Sequence, residues 1–231
     1  MKGFLPDKDL IRKHCTPSDT YIRVYYGTSL QDRLRTWVFK QRLLVVLNLI
    51  SKRRIRVSKV LDDGSGPMFI AYSLIRDFNS HYTGVDLIPS SEMSKYAKII
   101  KIATGKKIDM VKASAQALPF REGSFDTVMA LDVMEHLPKP EDAMTEAKRV
   151  AKENIIISVP MENTIQKLSR LPILLTEGKL KDPTPEYHYV GSFKTYSDME
   201  KNLLRLSIET EYAPLRRVKS FNFYVIHLSR V

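Results

Sequence analysis

The sequence predicts an α/β fold: an open, doubly wound, mostly parallel sheet of about seven strands with a terminal antiparallel pair and helices on both faces. Three observations carry that expectation. From Lys59 to Val159, short β-branched and apolar runs alternate with segments of helical periodicity, the pattern of parallel strands joined by crossover helices. The first run, Val60 to Asp63, passes directly into Gly64-Ser65-Gly66-Pro67 and then a helical segment, a strand, glycine turn and helix in sequence. The chain closes with two apolar runs separated by Arg216-Arg217-Val218-Lys219, a link that permits only antiparallel pairing.

Residues 1–28 are mixed and turn-rich, with Pro6, Pro17 and Gly27. Ser29-Leu30-Gln31-Asp32 reads as a helix start, and the helical pattern runs to about Ser51. Leu30, Leu34, Trp37, Val38, Gln41 and Val45 line its apolar side, with Arg33, Arg35, Lys40 and Arg42 largely elsewhere. The basic cluster Lys52-Arg53-Arg54-Ile55-Arg56 closes it. There follow a strand at 59–62, a helix at 68–78, a strand at 81–86, a helix at 91–104 and strands at 108–113 and 125–131. A helix at 141–151 and a strand at 154–159 complete the alternation. Ser90 or Ser91 can cap the 91–104 helix and Gly105 can end it. Tyr196 to Leu206 reads as a helix, and 207–215 and 221–229 as the last two strands. Residues 176–194, with Gly178, Pro183, Pro185 and Gly191, form a long loop of the kind that covers a site. The division expected is a basic helical extension, 1–58, packing on a core domain, 59–231.

Composition narrows the functional classes. The 231 residues suffice for one domain with a sizeable core. A single cysteine, Cys15, excludes a disulfide framework and a cysteine-only zinc site, and suits a reducing cytoplasm. The longest apolar run, Leu43 to Leu47, is far short of a membrane span. The formal charge of +11 is uneven: residues 1–59 carry +10, residues 60–160 carry −2 and residues 161–231 carry +3. An anionic partner is therefore expected at the N-terminal segment, with the 52–56 cluster able to meet nucleic acid; a solvated basic face is the alternative.

The chemistry concentrates near the first strand. Gly64 and Gly66 allow positive φ and close backbone approach, and the helix start beyond them offers unpaired N–H groups to a carboxylate or phosphate. About twenty residues on, Tyr82-Thr83-Gly84-Val85-Asp86 is a second strand ending in an acid, where such folds place a carboxylate on ribose hydroxyls. Leu61-Asp62-Asp63-Gly64-Ser65-Gly66-Pro67, Gly84-Val85-Asp86, Ala115-Gln116-Ala117-Leu118-Pro119-Phe120, Ser124-Phe125-Asp126-Thr127-Val128 and Val133-Met134-Glu135-His136-Leu137 occur in that order. Together they resemble the class I S-adenosylmethionine-dependent methyltransferases, most closely the methyltransferase type 11 group, over roughly 60–160.

The resemblance implies a Rossmann-like fold and S-adenosylmethionine as cofactor, with S-adenosylhomocysteine as product. Carried residue by residue, it implies that Gly64, Ser65 and Gly66 admit the methionyl portion, and that Asp62, or Asp63 beside it, faces the ammonium or sulfonium. Asp86 would hold the ribose, with Leu87 against adenine. Ser114 and Ala115 stand where the adenine amino group is received, and Leu131 would lie under the cofactor. Two positions depart from the pattern: Met68 replaces the third glycine and Ser114 the usual acid. Asp86 could instead be a turn-forming or capping carboxylate. His136 is the candidate general base, or else a histidine that orients its loop. Tyr187-His188-Tyr189 could reach over the pocket or anchor the loop, and His14 and His81 read as structural or surface residues. No spacing suggests a metal site. Asp132-Val133-Met134 is unlike the Asn/Asp-Pro-Pro-aromatic motif of enzymes that methylate exocyclic base amines. The expected activity is methyl transfer to an O or N nucleophile of a small anionic metabolite. The alternatives are an RNA or protein methyltransferase, and a non-catalytic relative that binds the cofactor.

Overall fold

The structure is a computed structural model describing residues 6–16, 19, 30–88, 91–160, 201, 212–219 and 223–230. Its strands are β1 (Lys59–Asp63), β2 (His81–Asp86), β3 (Asp109–Lys112), β4 (Phe125–Leu131), β5 (Ala151–Pro160), β6 (Tyr212–Lys219) and β7 (Phe223–Arg230). They form one sheet in the order β3-β2-β1-β4-β5-β7-β6. β1 to β5 are mutually parallel, and β7 runs antiparallel to both β5 and β6. The helices are α1 (Lys8–His14), α2 (Leu30–Arg53), α3 (Ala71–Phe78), α4 (Ser91–Thr104) and α5 (Pro140–Val150), with a 3-10 turn at Met134–His136. The expected α/β sheet, seven strands with a terminal antiparallel pair, is therefore present.

Strand alternation divides the core between the two faces. Val60, Tyr82, Met129 and Ile156 join one cluster with Leu43, Val46, Leu47 and Ile50 of α2, Leu74 of α3, Tyr96 of α4 and Ile11 of α1. Leu61, Val85, Val128, Ala130, Ile155 and Ile157 join the other, with Ala143, Met144 and Ala147 of α5. Helix α2 thus shares its core with the first strands. Its buried face is the one through 43, 46, 47 and 50, not the face the sequence indicated. Trp37 is 47% exposed, and Gln41 and Val45 are only partly buried; the side chains of Leu30, Leu34 and Val38 lie outside the description.

Several elements differ from expectation for local reasons. Helix α1 was not foreseen; Asp7 caps it by accepting from the Asp9 and Leu10 N–H groups at 2.9 and 3.3 Å. Helix α3 starts at Ala71 rather than 68, because Met68 is left-handed, with φ of 53°. Gly105, at φ of 74°, ends α4 by donating to Lys101 O at 2.8 Å, as its position indicated. Arg216-Arg217-Val218-Lys219 is not a turn but part of β6, whose pairing with β7 shifts register between Pro214 and Arg216. The loop at 176–194, with Tyr187, His188 and Tyr189, lies outside the described residues. So does the 196–206 segment, apart from helical Lys201.

Candidate functional site

The carboxyl ends of β1, β2 and β4 converge beside the 64–68 turn. Gly64 and Gly66 have φ of 71° and 44°, and Met68 continues the left-handed path. The turn is tied to β2 at two points: Ser65 N–H donates to Val85 O at 2.8 Å, and Gly66 N–H donates to Asp86 Oδ2 at 2.9 Å. Asp86 Oδ1 accepts from Ile88 N–H at 3.0 Å. The turn-forming reading of Asp86 is therefore realised, but it consumes only two of the roughly four acceptor positions of a carboxylate. Met68 is fully buried in the cluster shared with α2 and α3, so its side chain belongs to the core.

Two glycines are required here for different reasons. A Cβ on Gly64 would stand 2.4 Å from Val133 Cγ2, and one on Gly84 would stand 2.8 Å from Ser65 Oγ. Gly64→Ala is expected to lower stability by about 2–4 kcal/mol, from left-handed strain plus overpacking. Val133→Ala in the same chain should recover part of that loss, because it removes the obstructing methyl groups. Urea unfolding checks both; equal destabilisation of the single and double variants contradicts the steric account.

The electrostatics of this end are dominated by buried carboxylates. Asp62 accepts a hydrogen bond from the Tyr82 hydroxyl. Burial pushes it up to about 7, against the lowering influence of Tyr82 and of Arg42. Asp63 is completely buried and neither oxygen has a hydrogen-bond partner. Burial, with Asp62 and Asp86 adding to it, also raises Asp63 to about 7. Glu135 is 4% exposed, without a hydrogen-bond partner, and is pushed by burial to about 7. By alternation Asp62 lies on the face of Val60 and Asp63 on that of Leu61, so the two acids serve opposite sides of the strand.

The other expected residues fall around this end. Leu131 is partly buried at the tip of β4 and packs against the α2 cluster. Leu87 and its neighbour Ile88 are 59% and 79% exposed, the most exposed of the large hydrophobics among the described residues. Ser114 accepts from Gln116 N–H at 3.2 Å through its own hydroxyl, closing its turn, and Ala115 is buried beside it. Glu146 accepts from Leu118 N–H at 2.7 Å and Arg149 donates to Leu118 O and Phe120 O, which fixes the 118–120 segment on α5. His136 is exposed, 3.9 Å from Glu135 through Nε2, and its backbone N–H donates to Val133 O at 2.9 Å. Among the described residues no cluster suited to a metal ion occurs.

Sequence reasoning missed four participants. Arg42, from the middle of α2, pairs closely with Asp132, which follows β4 in a left-handed conformation. Ser158 Oγ also donates to Asp132 Oδ1, at 2.9 Å. Tyr82 bonds Asp62, and Val133 sits under Gly64. Tyr82 had a signal, since it lies two residues before Gly84 on the same strand. Arg42 had none, because a basic residue in a long helix reads as solvent-facing.

Comparison with known proteins finds likeness over the central part of the chain. Residues 61–158 match the family model described as a methyltransferase domain. Over that segment the chain is similar to methyltransferases. A ubiquinone biosynthesis O-methyltransferase of Dechloromonas aromatica is 34% identical to the chain over 96 residues, covering 41% of this chain and 40% of that protein. An uncharacterized methyltransferase of Mycolicibacterium gilvum is 38% identical over 93 residues, covering 40% and 34%. The chain thus matches less than half the length of these relatives. The methyltransferase fold extends further: the magnesium protoporphyrin IX methyltransferase of Synechocystis PCC 6803, with bound SAH, aligns with a TM-score of 0.65 at 15% identity. That alignment covers 96% of this chain and 94% of that one. Among the described residues no helix is long and apolar enough to cross a membrane.

Proposed function

We propose that the chain is an S-adenosylmethionine-dependent methyltransferase acting on an O or N nucleophile of a small, anionic metabolite, in a reducing cytoplasm that suits its lone Cys15. The observation that carries this reading is the acid cluster at the strand tips. Asp62, Asp63 and Glu135 are all buried, and the last two lack any hydrogen-bond partner. A site built this way favours a cationic ligand, since positive charge is what restores the ionised form of such acids. S-adenosylmethionine brings an ammonium and a sulfonium, and supplies an electrophilic methyl group when bound.

The chain's own residues fit the rest of that ligand. Gly64, Ser65 and Gly66 offer backbone where side chains would obstruct, and Ser65 Oγ has no partner of its own. Helix α3 begins with no side-chain cap and no acid in its first turn, which leaves N–H groups for the methionyl carboxylate. Asp86 retains acceptor capacity for ribose hydroxyls, Leu87 and Ile88 offer apolar surface to adenine, and Ser114, Ala115 and Leu131 bound the same region. Positioning and exclusion of water supply much of the rate of such a transfer. Its similarity to a ubiquinone biosynthesis O-methyltransferase and, in fold, to a magnesium protoporphyrin IX methyltransferase supports a small-molecule acceptor. The packing of Met68 into the core supports an open site over a plugged one.

Calorimetric titration with S-adenosylhomocysteine tests the reading: saturable one-to-one binding is expected. Absence of binding at about 1 mM, a limit of roughly 4 kcal/mol, contradicts it. His136 is assigned the general base, being exposed beside the acid cluster. His136→Gln should lower turnover about a hundredfold with cofactor affinity unchanged; unaltered turnover restricts His136 to orienting its loop.

A further inference from the structure

At the opposite end of the sheet, where the parallel strands begin, the basic cluster after α2 does not lie along an open stripe. Arg53, Arg54 and Arg56 wall a recess of about 380 Å³, closed on the other side by Asn154 of β5 and by His227 and Arg230 of β7. We infer that this recess is a binding site for a phosphate-bearing small molecule, with the arginines as phosphate ligands and His227 and Asn154 as its floor.

Four arginines line the recess with one carboxylate, that of Glu153; Arg56 pairs with Glu153 at 3.0 Å and with Asp126, beside the recess, at 3.5 Å. The surplus is positive, and guanidinium forks match phosphate oxygens in geometry as well as charge. Attraction of a single cation to the carboxyl end of α2 accounts for Arg53 at most. Arg54 and Arg56 lie beyond the helix, and Arg54 turns into the wall with φ of 52°. The floor is specific. His227 is 2% exposed, its Nε2 is 2.9 Å from Asn154 Oδ1, and its Nδ1 has no hydrogen-bond partner. A buried ring nitrogen without a partner, on a residue that lines a basic recess, is an unsatisfied acceptor that a polar ligand atom would satisfy. Burial and Arg53 hold His227 down to about 4, so in the empty recess it stands as the neutral ring. A singly protonated phosphate group suits that state: on a small shift of the wall its P–OH donates to Nδ1 while its anionic oxygens meet the arginines. The recess is separate from the methyl-transfer end: along β5, Asn154 precedes Ser158, the partner of Asp132, by about 13 Å. This inference is independent of the methyltransferase reading.

The test is calorimetric titration of the full chain with inorganic pyrophosphate, with ADP in a parallel arm. Saturable binding is expected, weakened about tenfold or more by Arg53→Gln with Arg54→Asn. Asparagine tolerates the left-handed backbone at 54. Lys98→Gln with Lys101→Gln, on the exposed side of α4, removes the same charge and should leave affinity unchanged. Tighter binding of ADP than of pyrophosphate identifies a nucleotide as the ligand class; the reverse identifies the phosphate group alone. Titration should also move the ring resonances of His227, assigned by their loss in His227→Gln. No saturable binding, equal weakening by both double variants, or a stationary His227 signal overturns the assignment. So does an RNA oligonucleotide that binds the basic segment undisturbed by saturating pyrophosphate.

Discussion

Asp86→Ala will bind S-adenosylhomocysteine at least about a hundredfold more weakly than the unaltered protein. Two hydrogen bonds from ribose hydroxyls to a carboxylate are worth about 1.5–3 kcal/mol each, which spans roughly two to four orders of magnitude in affinity. The side chain also ties the glycine turn, through Gly66 N–H, to the end of β2. The two roles separate in a cycle with the 2′-deoxy analogue of the ligand. The analogue should lose affinity for the unaltered protein yet bind Asp86→Ala no worse than the parent ligand does. Equal binding of the parent ligand by both proteins refutes the ribose role, and a loss that ignores the missing hydroxyl assigns Asp86 to the turn alone.

The second large effect is on stability against pH. Asp62, Asp63 and Glu135 are held near 7 in the folded chain, whereas unfolded carboxyls titrate near 4. Between about pH 4 and pH 7 the folded state keeps protons that the unfolded state has released, so stability falls as pH rises. A single group shifted by about 3 units contributes about 4 kcal/mol across that window; three neighbouring groups contribute less than their sum. The empty protein should therefore unfold at lower urea concentration at about pH 8 than at about pH 5.5. Asp63→Asn should flatten the slope and be the more stable protein at the higher pH. The cofactor reverses the trend locally. A cationic ligand draws these acids toward ionisation, so S-adenosylmethionine should release protons on binding and gain on neutral S-adenosylhomocysteine as pH rises from about 6 to about 8. A constant ratio of the two affinities over that range contradicts a direct role for the acids.

What the sequence made legible was the part governed by short-range pattern. The strands at 81–86 and 125–131 and the helix at 91–104 lie where alternation, periodicity and Gly105 put them. So does the turn-bearing end of the sheet, because strand, glycine turn and acid are contiguous features. The misses share a tertiary origin. The apolar face of α2 was misplaced because a long helix rich in leucine and valine supports more than one stripe, and the sheet chose the one through Leu43 and Leu47. The start of α3 was placed early, since nothing local marks Met68 as left-handed. The basic run at 216–219 was read as a link because charge suits turns, but an outer strand tolerates charge equally well. Arg42 and Val133 act across distances that no window of residues spans.

The outer strands carry a further consequence, for behaviour at high concentration. An unpaired strand margin is a template on which a second molecule can add, and both margins of this sheet resist it. On one side β3 is only four residues long. On the other, β6 lacks a proton donor at Pro214, breaks register immediately after it, and carries Arg216, Arg217 and Lys219. Chain-to-chain growth by sheet extension is thereby discouraged, and this reversed terminal ribbon acts as a safeguard against fibre formation.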